Sequence, residues 1–187
     1  MKKSMMLAVG SLMAAAVASA HTGATGIVLE RMNGMSAMQD VVRNLTPMMQ
    51  GQTAYNRQAV IDAAGILESH AGETMTALFP EGSDPEVSYV SPAIWEDWEG
   101  FEELAMRLEV VAGAMALAAD NPPGSEMPGA GEQADAGAMM GGASSMMGGT
   151  AEPDAAALAQ MPVDRVFAAA AQTCSACHTA YRIERED

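Results

Sequence analysis

The sequence predicts an all-α protein, and three observations support that fold class. The 187-residue chain contains 18 methionines, is rich in alanine and has only 4% aromatic residues, so it lacks the β-branched and aromatic runs that form strands. In four segments the apolar residues recur at steps of three and four, which is the period of a helix. Proline- and glycine-rich stretches separate these segments. The length of the chain, without an N-terminal leader of 20 residues, suits one domain.

Residues 1–20 have the pattern of a secretory signal peptide. Lys2 and Lys3 precede an apolar run from Met5 to Val17, and residues 18–20 are the small residues of a cleavage site. We therefore expect the mature chain to begin at His21 and to be exported to the periplasm. A membrane anchor is the alternative, but the apolar run is shorter than the roughly 20 residues that a spanning helix needs.

The mature chain is strongly acidic. Removing residues 1–20 removes both lysines and no acid, so the formal net charge changes from −15 to −17. Such a protein should repel nucleic acid and anionic lipid, and we expect its partners to present basic docking surfaces. The alternative is that the charge serves solubility alone.

The first helix is predicted from Thr25 to about Gln50. Arg31 occupies a position in its apolar stripe, so it needs an anionic partner or must extend to solvent at the helix end. Gly34 requires a close neighbour, for which a flat macrocycle is a candidate. Pro47 should kink the helix near its end and Gly51 should close it. The apolar residues form two rows: Val28, Met35, Val42 and Met49, with Met38 and Leu45 beside them.

A second helix is predicted from Asn56, its N-cap, to Leu78. His70 lies beside its inner stripe and could reach a metal, although a histidine in such a position is more often half exposed without a ligand role. Residues 79–92 should form a loop, because they contain three prolines and a glycine. The predicted inner stripe consists of Val60, Ala64, Leu67, Ala71 and Leu78.

A third helix is predicted from Pro92, with Ser91 as its N-cap, to about Asp120. Residues 121–153 differ from the rest of the chain because they are rich in glycine and methionine and show no apolar period, so we predict a disordered insert. Its methionine thioethers could bind Cu(I), which makes copper handling a further candidate function. The predicted stripe of the third helix is Ile94, Trp98, Phe101, Leu104, Leu108, Val111 and Met115.

The last helix is predicted from Asp154 to about Glu184, with a weak point or kink at Pro162. Its inner stripe again advances in threes and fours. The stripe places both cysteines of the chain on the face that should point into the protein. Its members are Val163, Phe167, Ala170, Cys174, Cys177 and Tyr181.

The last helix carries a Cys-x-x-Cys-His motif with the only two cysteines of the sequence, Cys174 and Cys177, followed by His178. Two thiols one helical turn apart can form thioethers with the vinyl groups of one porphyrin, and the adjacent imidazole can bind its iron. A redox dithiol would be expected beside a βαβ pattern, and a structural zinc site needs ligands that no second Cys/His pair supplies. The motif therefore predicts one covalently bound haem c with His178 as the proximal axial ligand.

This combination resembles the class II cytochromes c, the cytochrome c′ and cytochrome c-556 family. The resemblance implies an antiparallel four-helix bundle, often a homodimer, with haem in the bundle interior. The insert 121–153 is not part of the family pattern. Besides the haem motif up to Arg182, the matching segments are Glu30-Arg31-Met32 leading to Met38, Thr46-Pro47 before Gly51-Gln52, Tyr55, and Pro92-Ala93-Ile94-Trp95.

The resemblance also implies roles for individual residues. Cytochromes c′ leave the iron five-coordinate under an apolar residue of the first helix, whereas the c-556 branch places a methionine there as the sixth ligand. The matching position in this chain is Met35. Arg31 matches a family arginine near a haem propionate, and Arg182 matches one beside the proximal imidazole.

We therefore predict a periplasmic monohaem c-type cytochrome that carries single electrons with low-spin ligation by His178 and Met35, and that has no substrate turnover of its own. The first alternative is a five-coordinate cytochrome c′ that binds NO or CO, and the second is copper handling by the methionine-rich insert. The expected partners are redox proteins with a basic docking surface, and a homodimer is allowed. Nucleic acid binding and membrane insertion of the mature chain are not expected.

Overall fold

The computed structural model describes residues 24–83, 88–125 and 154–183. The predicted leader 1–20 and most of the predicted insert, residues 126–153, lie outside the described residues. Within the described ranges the chain is helical and contains no β-strand, apart from an isolated antiparallel bridge between Val90 and Arg182. None of the helices in these ranges combines the length and apolar character required to cross a membrane.

Four long helices form the predicted antiparallel bundle. The third of them, α5, packs most extensively against α2 and α7, and α1 packs against α2 and α7. One apolar core therefore lies between all four. The helices are α1 (Gly26–Met49), α2 (Arg57–Ser69), α3 (Gly72–Thr76), α4 (Ala93–Glu96), α5 (Trp98–Leu117), α6 (Ala155–Ala159) and α7 (Val163–Tyr181), and α5 continues into a 3₁₀ turn, Ala118–Asp120.

Helix α1 has nearly the predicted bounds, but its buried face is rotated relative to the prediction. Of the predicted row, Val28 is buried but Met35, Val42 and Met49 are only half-buried. Val41, which was not predicted to be inside, is buried. Gly51 closes the helix with a φ of +69°, a conformation that glycine adopts without strain. The buried row is Val28, Arg31, Gly34, Met38, Val41 and Leu45.

The predicted second helix is two helices. Asn56 caps α2 as expected, since its side-chain oxygen accepts a hydrogen bond from the backbone N–H of Ala59 at 3.1 Å. The helix ends at Ser69, and α3 starts at Gly72, where φ is +57° and a Cβ would overlap the Glu109 carboxylate. Of the predicted stripe, Leu78 is half-buried and the other four residues are buried.

The close neighbour of Gly34 is His70. A Cβ at Gly34 would lie 3.2 Å from Nδ1 of His70, which caps the C-terminus of α2. The suggestion that a macrocycle presses on Gly34 is therefore wrong, because the space beside this glycine is taken by an imidazole.

The predicted third helix is interrupted at Asp97. Its carboxylate accepts a hydrogen bond from the backbone N–H of Gly100 at 3.3 Å and so caps α5. Because the helical phase restarts there, Trp98 is 37% exposed, which corrects the prediction that it lies inside. Leu104 is half-buried, and the other predicted positions are buried.

The predicted last helix is also divided, at Pro162. Asp154 caps α6, and Pro162 directly precedes α7. Asn121, the first residue of the predicted insert, links the two helices. Its side-chain amide donates to the carbonyls of Ala159 at 3.1 Å and Met161 at 3.2 Å, and its own carbonyl accepts from the N–H of Val163 at 2.9 Å.

Candidate functional site

The two cysteines lie one turn apart on α7. They do not form a disulfide with each other, both are half-buried, and both pack against the bundle core. Burial raises the pKa of Cys174, and burial together with the neighbouring Cys174 raises the pKa of Cys177 to about 11. Reactive redox dithiols depend on a lowered thiol pKa, so this environment disfavours that chemistry.

The cysteine pair is not part of a larger metal cluster. In the described part of the chain, no group of three or more histidine, cysteine or acidic side chains is placed to hold a metal ion. Of the other histidines, His70 packs on Gly34, and His21 lies outside the described residues. Two thiols and one imidazole fit the two vinyl groups and the iron of a haem c, whereas a structural zinc ion requires four ligands.

His178 lies in the last turn of α7, directly after Cys177, and its side chain reaches the surface. Partial burial and the positive charge of Arg182 lower the pKa of His178. Both effects favour the neutral imidazole, which is the form that binds a metal. The guanidinium of Arg182 lies 5.2 Å from the ring centroid of Tyr89.

The C-terminal end of α7 is fastened to the segment before α4. The N–H of Ser91 donates to the carbonyl of Tyr181 at 2.9 Å, and the N–H of Ile183 donates to the carbonyl of Tyr89 at 2.9 Å. The bridge between Val90 and Arg182 lies between these two bonds. The end of the helix that carries the motif is therefore held by backbone hydrogen bonds.

Arg31 is buried, with 4% of its surface exposed, so it does not extend to solvent. One of its terminal nitrogens donates to the carbonyl of Ser83 at 2.7 Å, and its guanidinium lies 4.4 Å from the ring centroid of Phe79. Phe79 contacts Phe101 at 4.9 Å between ring centroids, and Phe101 contacts Tyr181 at 5.8 Å. A continuous series of contacts thus links Arg31 on α1 to the end of α7.

Met35 lies one turn after Arg31 on α1. It is half-buried and packs against the same core as Cys174 and Cys177. The structure thus places Met35 and the haem motif on two helices, α1 and α7, that are in contact.

The sequence did not indicate the aromatic contacts of Phe79 or the link between Asp97 and Tyr181. The hydroxyl of Tyr181 donates to a carboxylate oxygen of Asp97 at 2.7 Å. An aspartate three residues before Gly100 is an N-cap pattern and could have been recognised. Its pairing with a tyrosine 84 positions away depends on the packing of α5 against α7.

Two open grooves lie beside these elements. One of about 580 Å³ runs along α1 and the α2–α3 junction, lined by Asn33, Gly34 and His70 among others, and includes neither cysteine. The other, of about 380 Å³, is lined by Phe79, Pro80, Glu81, Trp95 and Trp98, so it opens beside the aromatic contacts.

Residues 26–142 match the sequence model of the family described as cytochrome C′, which is more than half of the chain. The chain belongs to the cytochrome c′ family. The matched range ends before Cys174, so the Cys-x-x-Cys-His motif agrees with the family independently of that match. Cytochromes c′ bind covalently attached haem c, and haem c is accordingly the cofactor of this chain. No curated protein sequence matches the chain.

Solved structures of cytochromes c′ share the fold. Cytochrome c′ from Thermochromatium tepidum is 23% identical, with 84% of this chain and 95% of that chain covered and a TM-score of 0.57. A nitric oxide complex of a leucine-to-isoleucine variant of cytochrome c prime from Alcaligenes xylosoxidans is 20% identical, with 84% and 94% covered and a TM-score of 0.56. A triple variant of Rhodopseudomonas palustris cytochrome c′ is 18% identical, with 86% and 100% covered and a TM-score of 0.56.

Proposed function

We propose that the protein is a periplasmic c′-type haem protein whose five-coordinate iron, held by His178, binds NO or CO on its distal side. The observation that carries this proposal is the match of α1 to α5 to cytochrome C′. One of the structural neighbours is itself a nitric oxide complex. A five-coordinate cytochrome c′ was the first alternative predicted from the sequence, and it is preferred here because the matching family and structures are cytochromes c′.

Cys174, Cys177 and His178 are the residues that would hold the haem. Helix α7 presents both thiols on one face, and the imidazole follows in the same turn. A bound haem would supply an iron that can bind a diatomic ligand. The contribution of the chain is to fix the proximal imidazole and to limit which molecules reach the distal side.

Met35 would act on the distal side as an apolar cover. Its half-buried thioether lies on the helix that faces α7, where it would exclude water and bulky ligands from the iron. The second candidate function is the single-electron carrier predicted first, in which Met35 is the sixth ligand. The observation that favours it is the thioether itself, because methionine is an established axial ligand that raises the potential of a haem iron.

Arg31 would stand near a haem propionate. Its guanidinium is buried between the Phe79 ring and the Ser83 carbonyl, and it lies one helical turn before Met35 on α1. Arg182 would act on the proximal side, where its positive charge already favours a neutral His178.

The location and partners follow from the sequence. The leader 1–20 would direct the chain to the periplasm, and the acidic mature chain would meet partners with basic surfaces or form a homodimer. Copper handling by the insert is the remaining candidate, and its methionines lie outside the described residues.

The spin state of the purified holoprotein tests the proposal. We expect a high-spin, five-coordinate ferric absorption and EPR spectrum that Met35→Leu does not change, and ferrous protein that binds CO and NO. Met38→Leu is the matched control, because Met38 lies on the same helix but is buried in the core and a volume-conserving exchange there costs little. A low-spin wild-type spectrum that becomes high-spin only in Met35→Leu would establish the electron carrier instead.

A further inference from the structure

Tyr181 connects the end of α7 to the start of α5. Its side chain is 7% exposed, its hydroxyl donates to Asp97 at 2.7 Å, and its ring meets Phe101 edge-on at 5.8 Å between centroids. Asp97 is itself fixed, because the same carboxylate group caps α5 at Gly100. The hydroxyl is therefore bound to a carboxylate that also accepts a hydrogen bond from the first turn of α5.

Gly100 provides the space for this hydrogen bond. A Cβ at Gly100 would lie 2.6 Å from the Tyr181 hydroxyl oxygen and 2.5 Å from the Asp97 Oδ2 atom. Both distances are far below van der Waals contact, so any side chain at this position would push the two oxygens away from their present positions. We refer to Asp97, Gly100 and Tyr181 together as the tyrosine lock.

The lock acts on the turn that carries His178. Tyr181 follows Cys177 by four residues and His178 by three, so all three belong to the last turns of one helix. The imidazole of a metal-binding histidine is usually oriented by a hydrogen bond from its second nitrogen. Within the described residues the His178 imidazole forms no such bond, so its direction depends on how α7 is rotated about its own axis.

We propose that the tyrosine lock positions the proximal imidazole: by fixing the rotation of the last turn of α7, the hydrogen bond from Tyr181 to Asp97 sets the direction in which His178 meets the haem iron. Tyr181, Asp97 and Gly100 are positioning residues, since none of them contacts the iron. This inference rests on the proposed role of His178 as proximal ligand, but it holds whether or not Met35 is a sixth ligand.

The test compares Tyr181→Phe with Tyr55→Phe in the haem-loaded protein. Tyr55 is a matched control, because its hydroxyl also donates a short, half-buried hydrogen bond, to the carbonyl of Ala119 at 2.6 Å, but it lies on the connector between α1 and α2. Both variants should lower the thermal midpoint to a similar extent. Only Tyr181→Phe should broaden or split the ferric EPR signal and shift the midpoint potential, because only there does the axial geometry change.

An EPR signal and a potential of Tyr181→Phe that match those of Tyr55→Phe would overturn the inference. If Tyr181→Phe cannot be isolated with haem, Gly100→Ala decides the question, since the added methyl group should cause the same broadening and an unchanged signal would overturn the proposal. A wild-type signal that survives His178→Ala unaltered would instead show that His178 is not the proximal ligand, and the proposed function would fail together with this inference.

Discussion

Arg31 is a buried cation in the apolar face of α1, and its surroundings determine how its charge is stabilised. Its place in the apolar stripe of α1 predicted either an anionic partner or a side chain that extends to solvent. The structure buries it against the Phe79 ring and the Ser83 carbonyl. A buried cation over an aromatic ring and on a carbonyl oxygen is stabilised by both contacts. At its proposed position near a haem propionate, the positive charge of Arg31 would favour the ferrous iron.

Arg31→Met should therefore lower the midpoint potential of the holoprotein by something on the order of tens of millivolts, because it removes a buried positive charge near the iron. Arg43→Met is the control. Arg43 lies on the same helix in an exposed pair with Asp40, where solvent and salt screen its charge. Redox titration measures both, and equal potentials for the wild type and Arg31→Met would argue against a position near the haem.

The Cys177 thiol gives a second prediction at this scale, for protein prepared without haem. Burial raises its pKa to about 11, from an ordinary value of 9.0. Alkylation of Cys177 should therefore reach half of its maximal rate near pH 11 in the folded protein and near pH 9 in urea. Since the folded pKa is the higher one, the free energy of unfolding of the haem-free protein should decrease as the pH rises from about 9 through 11. Equal alkylation profiles in both states would contradict the burial of this thiol.

At the scale of the elements, the sequence predicted which segments are helical better than it predicted where they break. The periodic stripes identified the helical regions because burial of one face repeats every three to four residues. The helices break at His70, Asp97 and Pro162 because of individual capping residues, glycines and a proline. The spacing of apolar residues does not reveal such breaks. Only the proline was recognised. The capping aspartate could have been recognised from its spacing to Gly100, whereas the glycine that faces the Glu109 carboxylate becomes visible only once the neighbouring helix is present.

Asn121 shows what such local details contribute. Its amide satisfies two carbonyls at the end of α6 and the start of α7, so Asn121→Ala should leave both without this partner and decrease the free energy of unfolding by about 1–3 kcal/mol. Gln58→Ala is a suitable control, because the Gln58 side chain bonds to Asp62 on the exposed face of α2 and its loss should change stability by less than about 0.5 kcal/mol. Urea denaturation of the holoproteins measures both, and equal stabilities would show that Asn121 does not hold the junction.

At the scale of the whole molecule, the four-helix bundle was predictable and the site was predictable in part. The sequence alone identifies the motif of Cys174, Cys177 and His178, because two thiols and an imidazole at this spacing match the edge and the metal of one haem. The rotation of α1 was not predictable. It depends on contacts with His70, which fills the space at Gly34, and with Phe79, which packs against Arg31. His70 follows the end of α2 and Phe79 lies in the loop after α3. Whether Met35 covers or ligates the iron depends on distances that a sequence pattern does not contain.

Deletion of residues 128–150 should leave the haem spectrum, the midpoint potential and the cooperative unfolding of the holoprotein unchanged. The core side chains that the structure describes lie outside this segment, and a change in loop length alters the closure entropy only slightly. Loss of the haem spectrum would show that the segment belongs to the fold. Copper titration of the same variant tests the remaining candidate function, since unchanged Cu(I) binding would exclude the four insert methionines that the deletion removes, Met139, Met140, Met146 and Met147.

The central claim is that one haem is bound covalently to α7, and the mass of the exported protein tests it most directly. The intact mature chain should carry the mass of one haem, and the peptide that contains Cys174 and Cys177 should carry it through both sulfurs. Cys174→Ala together with Cys177→Ala should yield protein without covalent haem. A mature wild-type protein that is colourless, has the mass of the bare chain and titrates two free thiols would contradict the account.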